Sequence, residues 1–271
     1  MRRGSRQLLC SMLSVVITIG AVLLVCSTLI HATLCSRMYM SQFVATDKIN
    51  SYCHEVYNKR ILLLAENSNI PIRVFDVAYG IDGYSESALD RFFNGNDTEI
   101  YTNDRIETYE AMIKEYLEGT EQVYDEAAVH NTAVKAAEIY SDCFGLKNID
   151  SLRLFVNNAK SNYSRLSSFA LLMIFVPVLL IFALFTTKKK ALDYYCMAGA
   201  STGFALIFVS VICLIAGVGK SFSITPEIYQ NAVFLAINIM LAAALLIGVA
   251  IATASIVLAY KTVRKRAKNN D

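Results

Sequence analysis

The chain alternates between long charge-free apolar runs and polar stretches, and the run lengths carry the first inference. Residues 8–30 form one such run of 23 positions after a basic start. A helix needs about 20 mainly apolar residues to cross the hydrocarbon core of a bilayer. Three more runs follow at 169–187, 197–218 and 232–260. The pattern predicts an all-α integral membrane protein with four transmembrane helices. Between the spans lie an extracytoplasmic helical domain at 31–168, a cytoplasmic link at 188–196 and an outer turn at 219–231. The ends are short, at 1–7 and 261–271. Pro177 falls within the second span, where its missing N–H predicts a kink, read either as a packing feature or as a hinge. The fourth run is long enough to tilt or protrude.

The first run is longer than the core of a cleaved signal peptide, and Ala32-Thr33-Leu34 makes a poor cleavage site, so it is expected to stay as a span. Cys35 does not fit a lipoprotein cysteine, because Leu34 stands where a small residue belongs.

Inside 31–168 the apolar period is helical. Ile49, Cys53, Val56, Arg60 and Leu64 predict a helix running out of the first span to about Glu66. Asn67-Ser68-Asn69 and Pro71 predict its end and a new start. Gly80, Ser85 or Ser87, and Asn94-Gly95 bound a short helix with Leu89, Phe92 and Phe93. Asp104 with Glu107 resembles a capping box ahead of the stripe Ile106, Tyr109, Met112, Ile113, Tyr116 and Leu117, closed by Gly119. Thr120 is expected to cap a helix reaching Cys143, and a last helix from about Asp150 to enter the second span. No strand alternation is sustained. Phe75, Phe92, Phe93, Tyr109, Tyr116, Tyr124, Tyr140 and Phe144 are expected in the core, which a domain of this size can bury.

Charge then orients the spans. Residues 31–168 hold 13 Lys and Arg against 20 Asp and Glu, a net −7, although the whole chain is +2. Arg2, Arg3 and Arg6, then Lys188, Lys189 and Lys190, then Lys261, Arg264, Lys265, Arg266 and Lys268 flank the spans. Basic residues beside spans stay cytoplasmic. Four crossings put all three clusters on one side, so the expectation is a multi-pass protein of the plasma membrane with both termini cytoplasmic. No basic patch lies elsewhere, which argues against nucleic acid as a partner. The lipid bilayer is the partner that composition demands.

Candidate chemistry is sparse. His31, His54 and His130 lack a partner at zinc-ligand spacing, and no phosphate loop or nucleophile elbow occurs. His54-Glu55 reads as a solvated face, and Glu107, Glu110, Glu115 and Glu118 as an exposed acidic one. The chain is expected not to be an enzyme and to need no cofactor or metal. No Asp, Glu, Lys, Arg or His lies mid-span, which argues against a self-sufficient transporter. Asn238 is the polar exception, read as a bond to another helix before a substrate contact. Small residues recur at spacing four: Gly199 and Gly203, then Ala244, Gly248 and Ala252, a face that lets helices approach. Cys53 and Cys143 are the two thiols well inside the polar region. They are read either as a disulfide, worth about 4–5 kcal/mol by loop closure, or as free buried thiols. Asn96-Asp97-Thr98 and Asn162-Tyr163-Ser164 are sequons that matter only in a eukaryotic secretory pathway.

One span, a large outer domain, then three spans with a short inner link is an order similar to that of FtsX-like and MacB-like permeases. The stretch Lys188-Lys189-Lys190-Ala191-Leu192-Asp193-Tyr194-Tyr195-Cys196-Met197-Ala198-Gly199-Ala200-Ser201 resembles that family's link, with its basic run followed by Gly-Ala-Ser. Ala191 stands where an acidic residue is expected, and Cys196 where a basic one is common. The resemblance implies that Lys188–Cys196, with Lys188, Lys189, Lys190 and Asp193 as its charged positions, contacts a cytoplasmic ATPase. It also implies that the outer domain transmits conformational change. The inner segments are too short to fold into a domain, so an obligate complex is expected. A second membrane protein and a homo-oligomer are the other partners considered. An extracytoplasmic sensor or scaffold is the alternative function.

Overall fold

Apolar side chains three and four apart, with few β-branched alternations, direct nearly the whole chain into helix. The computed structural model describes residues 3–75, 89, 92–94, 100–121, 123–185 and 188–267. Its helices in chain order are α1 (Arg3–Ala32), α2 (Arg37–Val44), α3 (Asp47–Ser68), α4 (Ile100–Gly119), α5 (Glu126–Phe144), α6 (Asp150–Leu184), α7 (Lys188–Ala216) and α8 (Glu227–Ala267). Short 3-10 turns lie at Ile72–Phe75 and Val218–Ser221. No strand occurs among the described residues. α1, α6, α7 and α8 are long and apolar enough to cross a membrane. They leave Leu8, Val15, Phe175, Leu179, Phe208 and Ile215 exposed along their lengths. Apolar surface on that scale suits lipid contact, and the chain is a membrane protein.

The chain forms two compact units. The membrane unit comprises Met1–Ser36, Phe155–Gly219 and Ala236–Asp271. Its packing is read from a ladder of contacts. Arg6 donates to the Leu184 carbonyl at 3.1 Å, Gly20 sits against Ala170 and Met173, and His31 stacks on Tyr163 at 4.0 Å. The Cys35 thiol lies 3.7 Å from the Val156 carbonyl. These pairs make α1 and α6 antiparallel along their lengths. The Ser14 hydroxyl lies 2.9 Å from the Cys10 carbonyl and 3.3 Å from that of Tyr194. Thr18 repeats this with Ser14 and Ala198 at 3.0 and 3.3 Å, so α1 and α7 run parallel.

The helical unit comprises Arg37–Leu154 and Lys220–Leu235. Thr46, extended at φ −107°, caps α3 by accepting from the Ile49 amide at 3.4 Å. Asn69, left-handed at φ 55°, closes it beside Pro71, where the sequence marked a break. Tyr57, Phe75, Tyr109, Ile113, Ala133 and Phe144 are each at most 2% exposed and form its core.

Several expectations are corrected. The helix leaving the first span does not run on to Glu66. It breaks after Ala32 and again after Val44, where Thr46 starts α3 afresh. The buried stripe of α3 is Ile49, Cys53, Tyr57, Ile61 and Ala65, not one through Val56, Arg60 and Leu64. Every fourth position stays in line, and Arg60 is left exposed, 3.4 Å from Asp142. Asp104 and Glu107 do not cap a helix; α4 has already begun at Ile100. Asp125, not Thr120, caps α5, accepting from the Ala127 amide at 3.1 Å. Thr120 instead donates back to Tyr116 and Leu117 at the end of α4. Phe93, Tyr116 and Tyr124 are half-buried. Gly80, Ser85, Ser87, Gly95 and the sequon Asn96-Asp97-Thr98 lie outside the described residues.

The segment read as an outer turn is a structural part of the helical unit. Lys147 and Thr225 exchange backbone hydrogen bonds at 2.9 and 3.1 Å. Ile224, Tyr229 and Val233 are buried. α8 begins at Glu227, ahead of the expected start at 232.

Candidate functional site

The basic link is helical rather than a loop. α7 starts at Lys188, so only a few residues separate it from the end of α6 at Leu184. Lys188 and Lys189 occupy its first turn, although their side chains lie outside the described set. Lys190 is exposed and Asp193 half-buried. Ala191 and Cys196 turn inward and are buried. Ala191 packs with Cys10, Ile17, Ile181 and Ala198, flanked by Tyr194 and Tyr195. Phe185 stacks on Tyr194 at 5.4 Å, and the Arg6 guanidinium sits 5.6 Å over the Phe185 ring.

Arg6 therefore does two things. It covers an aromatic face, and it donates to a carbonyl that the end of α6 leaves unpaired, where the helix dipole favours a cation. Its role was not recognised in the sequence, where it counted only as one of three N-terminal positive charges. Tyr195 donates to the Val178 carbonyl at 2.8 Å, next to Pro177, and ties α7 to α6 there.

The small-residue positions meet across α7 and α8. A Cβ on Gly199 would overlap the Ser255 hydroxyl. One on Gly203 would fall 2.6 Å from both the Ala252 nitrogen and the Gly248 oxygen. Gly248 faces Gly203 and Leu206 in return, and Ala244 and Ala252 are buried. The helices run antiparallel, so Ser255 lies toward the end of the unit that holds Arg6, Leu184 and the start of α7. Gly20 makes a comparable approach to α6, with a would-be Cβ 2.9 Å from that of Met173. The sequence reading missed Gly20 because it has no small residue at spacing four on an apolar face. The Ser14–Thr18 spacing was the available signal for the α1–α7 seam.

In the helical unit, α3 and the Ile72–Phe75 turn border a groove of about 500 Å³. Tyr57, Ile61, Leu62, Ile72 and Phe75 give it apolar walls; Glu55, Asn58, Lys59 and Arg73 give it polar ones. Lys59 donates to Glu55 at 2.6 Å, and this contact lowers the Glu55 pKa and raises that of Lys59. Among the described residues no nucleophile with an adjacent base lines the groove. Among the described residues no group of three or more His, Cys, Asp or Glu is placed to hold a metal. His130 pairs with Glu110, so Glu110 is not simply part of an exposed acidic face. His54 is half-buried with its ring edge-on to Phe144, rather than solvated.

Beneath the groove, Tyr57 donates to the Phe75 carbonyl at 2.9 Å. That uses its proton, so the Tyr109 hydroxyl, 2.8 Å away, donates to Tyr57. Cys53 and Cys143 are both free and buried. Burial pushes the Cys143 thiol up to about 11 and the Tyr109 phenol up to about 12. Both shifts favour the neutral, protonated group in the fold. Their stabilising contributions are complete below the ordinary values of 9 and 10. They are lost as pH rises through about 11 for Cys143 and about 12 for Tyr109. With both thiols reduced, alkaline titration should thus leave the helical unit intact at pH 8 and weaken it progressively above pH 9, read by circular dichroism alongside tyrosinate absorbance.

No known protein family matches the chain, and no curated protein or solved structure is significantly similar to it.

Proposed function

We propose that this protein is a non-enzymatic, four-span subunit of the plasma membrane that works with a cytoplasmic ATPase, as a permease-like or mechanotransmission component. In this reading Lys188, Lys189, Lys190 and Asp193 form the contact face, both chain ends are cytoplasmic, and the helical unit is extracytoplasmic. The observation that carries it is the position of the three lysines. They open α7, and the first turn holds no acidic residue. A helix N-terminus disfavours cations, each at a cost of about 0.3–1 kcal/mol. Helix stability therefore does not account for them, whereas orientation and an acidic partner surface would. Arg6 and the C-terminal part of α8 lie toward the same end of the membrane unit, which suits one cationic face. Both α6 and α8 begin in the helical unit and end in the membrane unit without a break, a covalent route for conformational change.

Changing Lys188, Lys189 and Lys190 together to Gln should sharply reduce co-purification of an ATPase from native membranes while leaving the protein in the membrane. Recovery of no ATPase with the unaltered protein would sink the reading. Sidedness is read by impermeant thiol labelling: Glu115→Cys should label from outside intact cells, and Arg264→Cys only after permeabilisation.

The groove beside Tyr57 favours a second reading, an extracytoplasmic sensor or scaffold. Saturable binding of a ligand that Arg73→Ala weakens, with no ATPase recovered, would support it over the first.

A further inference from the structure

We infer that Cys53 and Cys143, free thiols in this structure, form a disulfide under oxidising conditions that fastens α3 to α5 inside the helical unit. Two features converge on this pair. Both thiols are buried, 2% and 3% exposed. The aromatic contacts then set the register of the two helices. Tyr57 packs between Tyr140 and Phe144, at 6.1 and 5.5 Å, and His54 meets the edge of Phe144 at 5.6 Å. Cys53 is one turn before Tyr57 on the buried stripe of α3. Cys143 is the residue before Phe144 on the buried face of α5. Cys53 and Cys143 are thus the residues immediately before His54 and Phe144, whose rings meet. The Cys143 thiol also responds electrostatically to Cys53, which agrees with this placement. The Tyr229 hydroxyl reaches Cys53 at 4.0 Å and closes one side, and no other cysteine belongs to this unit.

The reaction is thiol–disulfide exchange. A thiolate from one cysteine attacks a disulfide donor, such as oxidised glutathione, and releases one donor thiol. The second cysteine then displaces the other donor thiol as the Cys53–Cys143 bond forms. Two protein thiols are oxidised and one donor disulfide is reduced to two thiols. In the closed fold both thiols are shielded and Cys143 is held protonated, and an attacking thiol must be a thiolate. The bond is therefore expected to form while α3 and α5 are still separated. Burial then protects it from reductants.

The test uses the full chain in its own membranes. One sample is alkylated in denaturant directly. A second is first unfolded in mild detergent and denaturant, then returned to native buffer with oxidised and reduced glutathione. Peptide mass spectrometry follows in both. The expected result, in either sample, is a Cys53–Cys143 linked peptide lighter by two hydrogens, which alkylates at both residues only after reduction. Cys53→Ser should abolish it and leave Cys143 alkylated without reductant. Alkylation of both cysteines without reductant in both samples would overturn the inference. So would either cysteine pairing with Cys35 or a cysteine of the spans. The redox arm does not depend on which side of the membrane the unit faces, so it can fail independently of the topology.

Discussion

Tyr57→Ala should destabilise the helical unit by about 3–5 kcal/mol, the range for removing a large buried aromatic ring. A domain has about 5–15 kcal/mol in hand, so the variant should lose much of its folded population near body temperature. Tyr57 is 2% exposed and touches the rings of Tyr140 and Phe144. Its hydroxyl also joins the Phe75 carbonyl to Tyr109. Tyr57→Phe separates the two contributions. The ring packing remains, while the Phe75 carbonyl and the Tyr109 hydroxyl lose their partner, at about 1–3 kcal/mol. Denaturant unfolding of the full chain in detergent, followed by near-ultraviolet circular dichroism, should rank the three proteins as wild type, then Phe, then Ala. Equal stability of the Phe and Ala variants would show that the ring does not fill the core as described.

Gly203→Leu should force α7 and α8 apart. Even a methyl group there meets backbone atoms at 2.6 Å on both Gly248 and Ala252. Backbone in two regular helices cannot swing aside as a side-chain tip would. Overpacking of this kind costs about 1–3 kcal/mol for added methylenes, and Leu adds several carbons, so the loss should lie at or above the top of that range. Gly4→Ala is the control of opposite sign. Nothing lies within 4 Å of its would-be Cβ, and alanine is the better helix former by about 1 kcal/mol. The temperature at which the protein aggregates in detergent should fall for Gly203→Leu and stay level or rise for Gly4→Ala. A Gly203→Leu protein as stable as wild type would mean that α7 and α8 do not meet at this seam.

Much of the helical plan was legible because it is written in local chemistry. Asn69 and Pro71 marked the end of α3, and Gly119 the end of α4, through their backbone preferences alone. Phe75, Tyr109, Tyr140 and Phe144 sit in the core as their spacing indicated. Errors arose where two local signals competed. Thr120 and Asp125 are both good caps, and Asp104-x-x-Glu107 imitates a helix start inside a helix. In α3 the alternatives Val56 and Tyr57 are adjacent, and a one-residue choice rotates the whole face by about 100°. The partner helices α4 and α5 settle it by offering a pocket for an aromatic ring.

Long-range pairings were out of reach from the sequence. Residues 219–231 read as a turn because their apolar positions, such as Phe222, Ile224 and Tyr229, are broken up by polar residues and Pro226. In the fold Ile224 and Tyr229 are buried, and Thr225 between them exchanges hydrogen bonds with the distant Lys147. Arg6 over Phe185 and Gly20 against Met173 are of the same kind. By itself, the sequence determined that four charge-free runs are apolar enough to enter lipid and that the described remainder is largely helical, because solvation and hydrogen bonding act residue by residue. Which faces touch was decided only by the tertiary structure, since close packing depends on the shapes of surfaces that the linear order does not bring together.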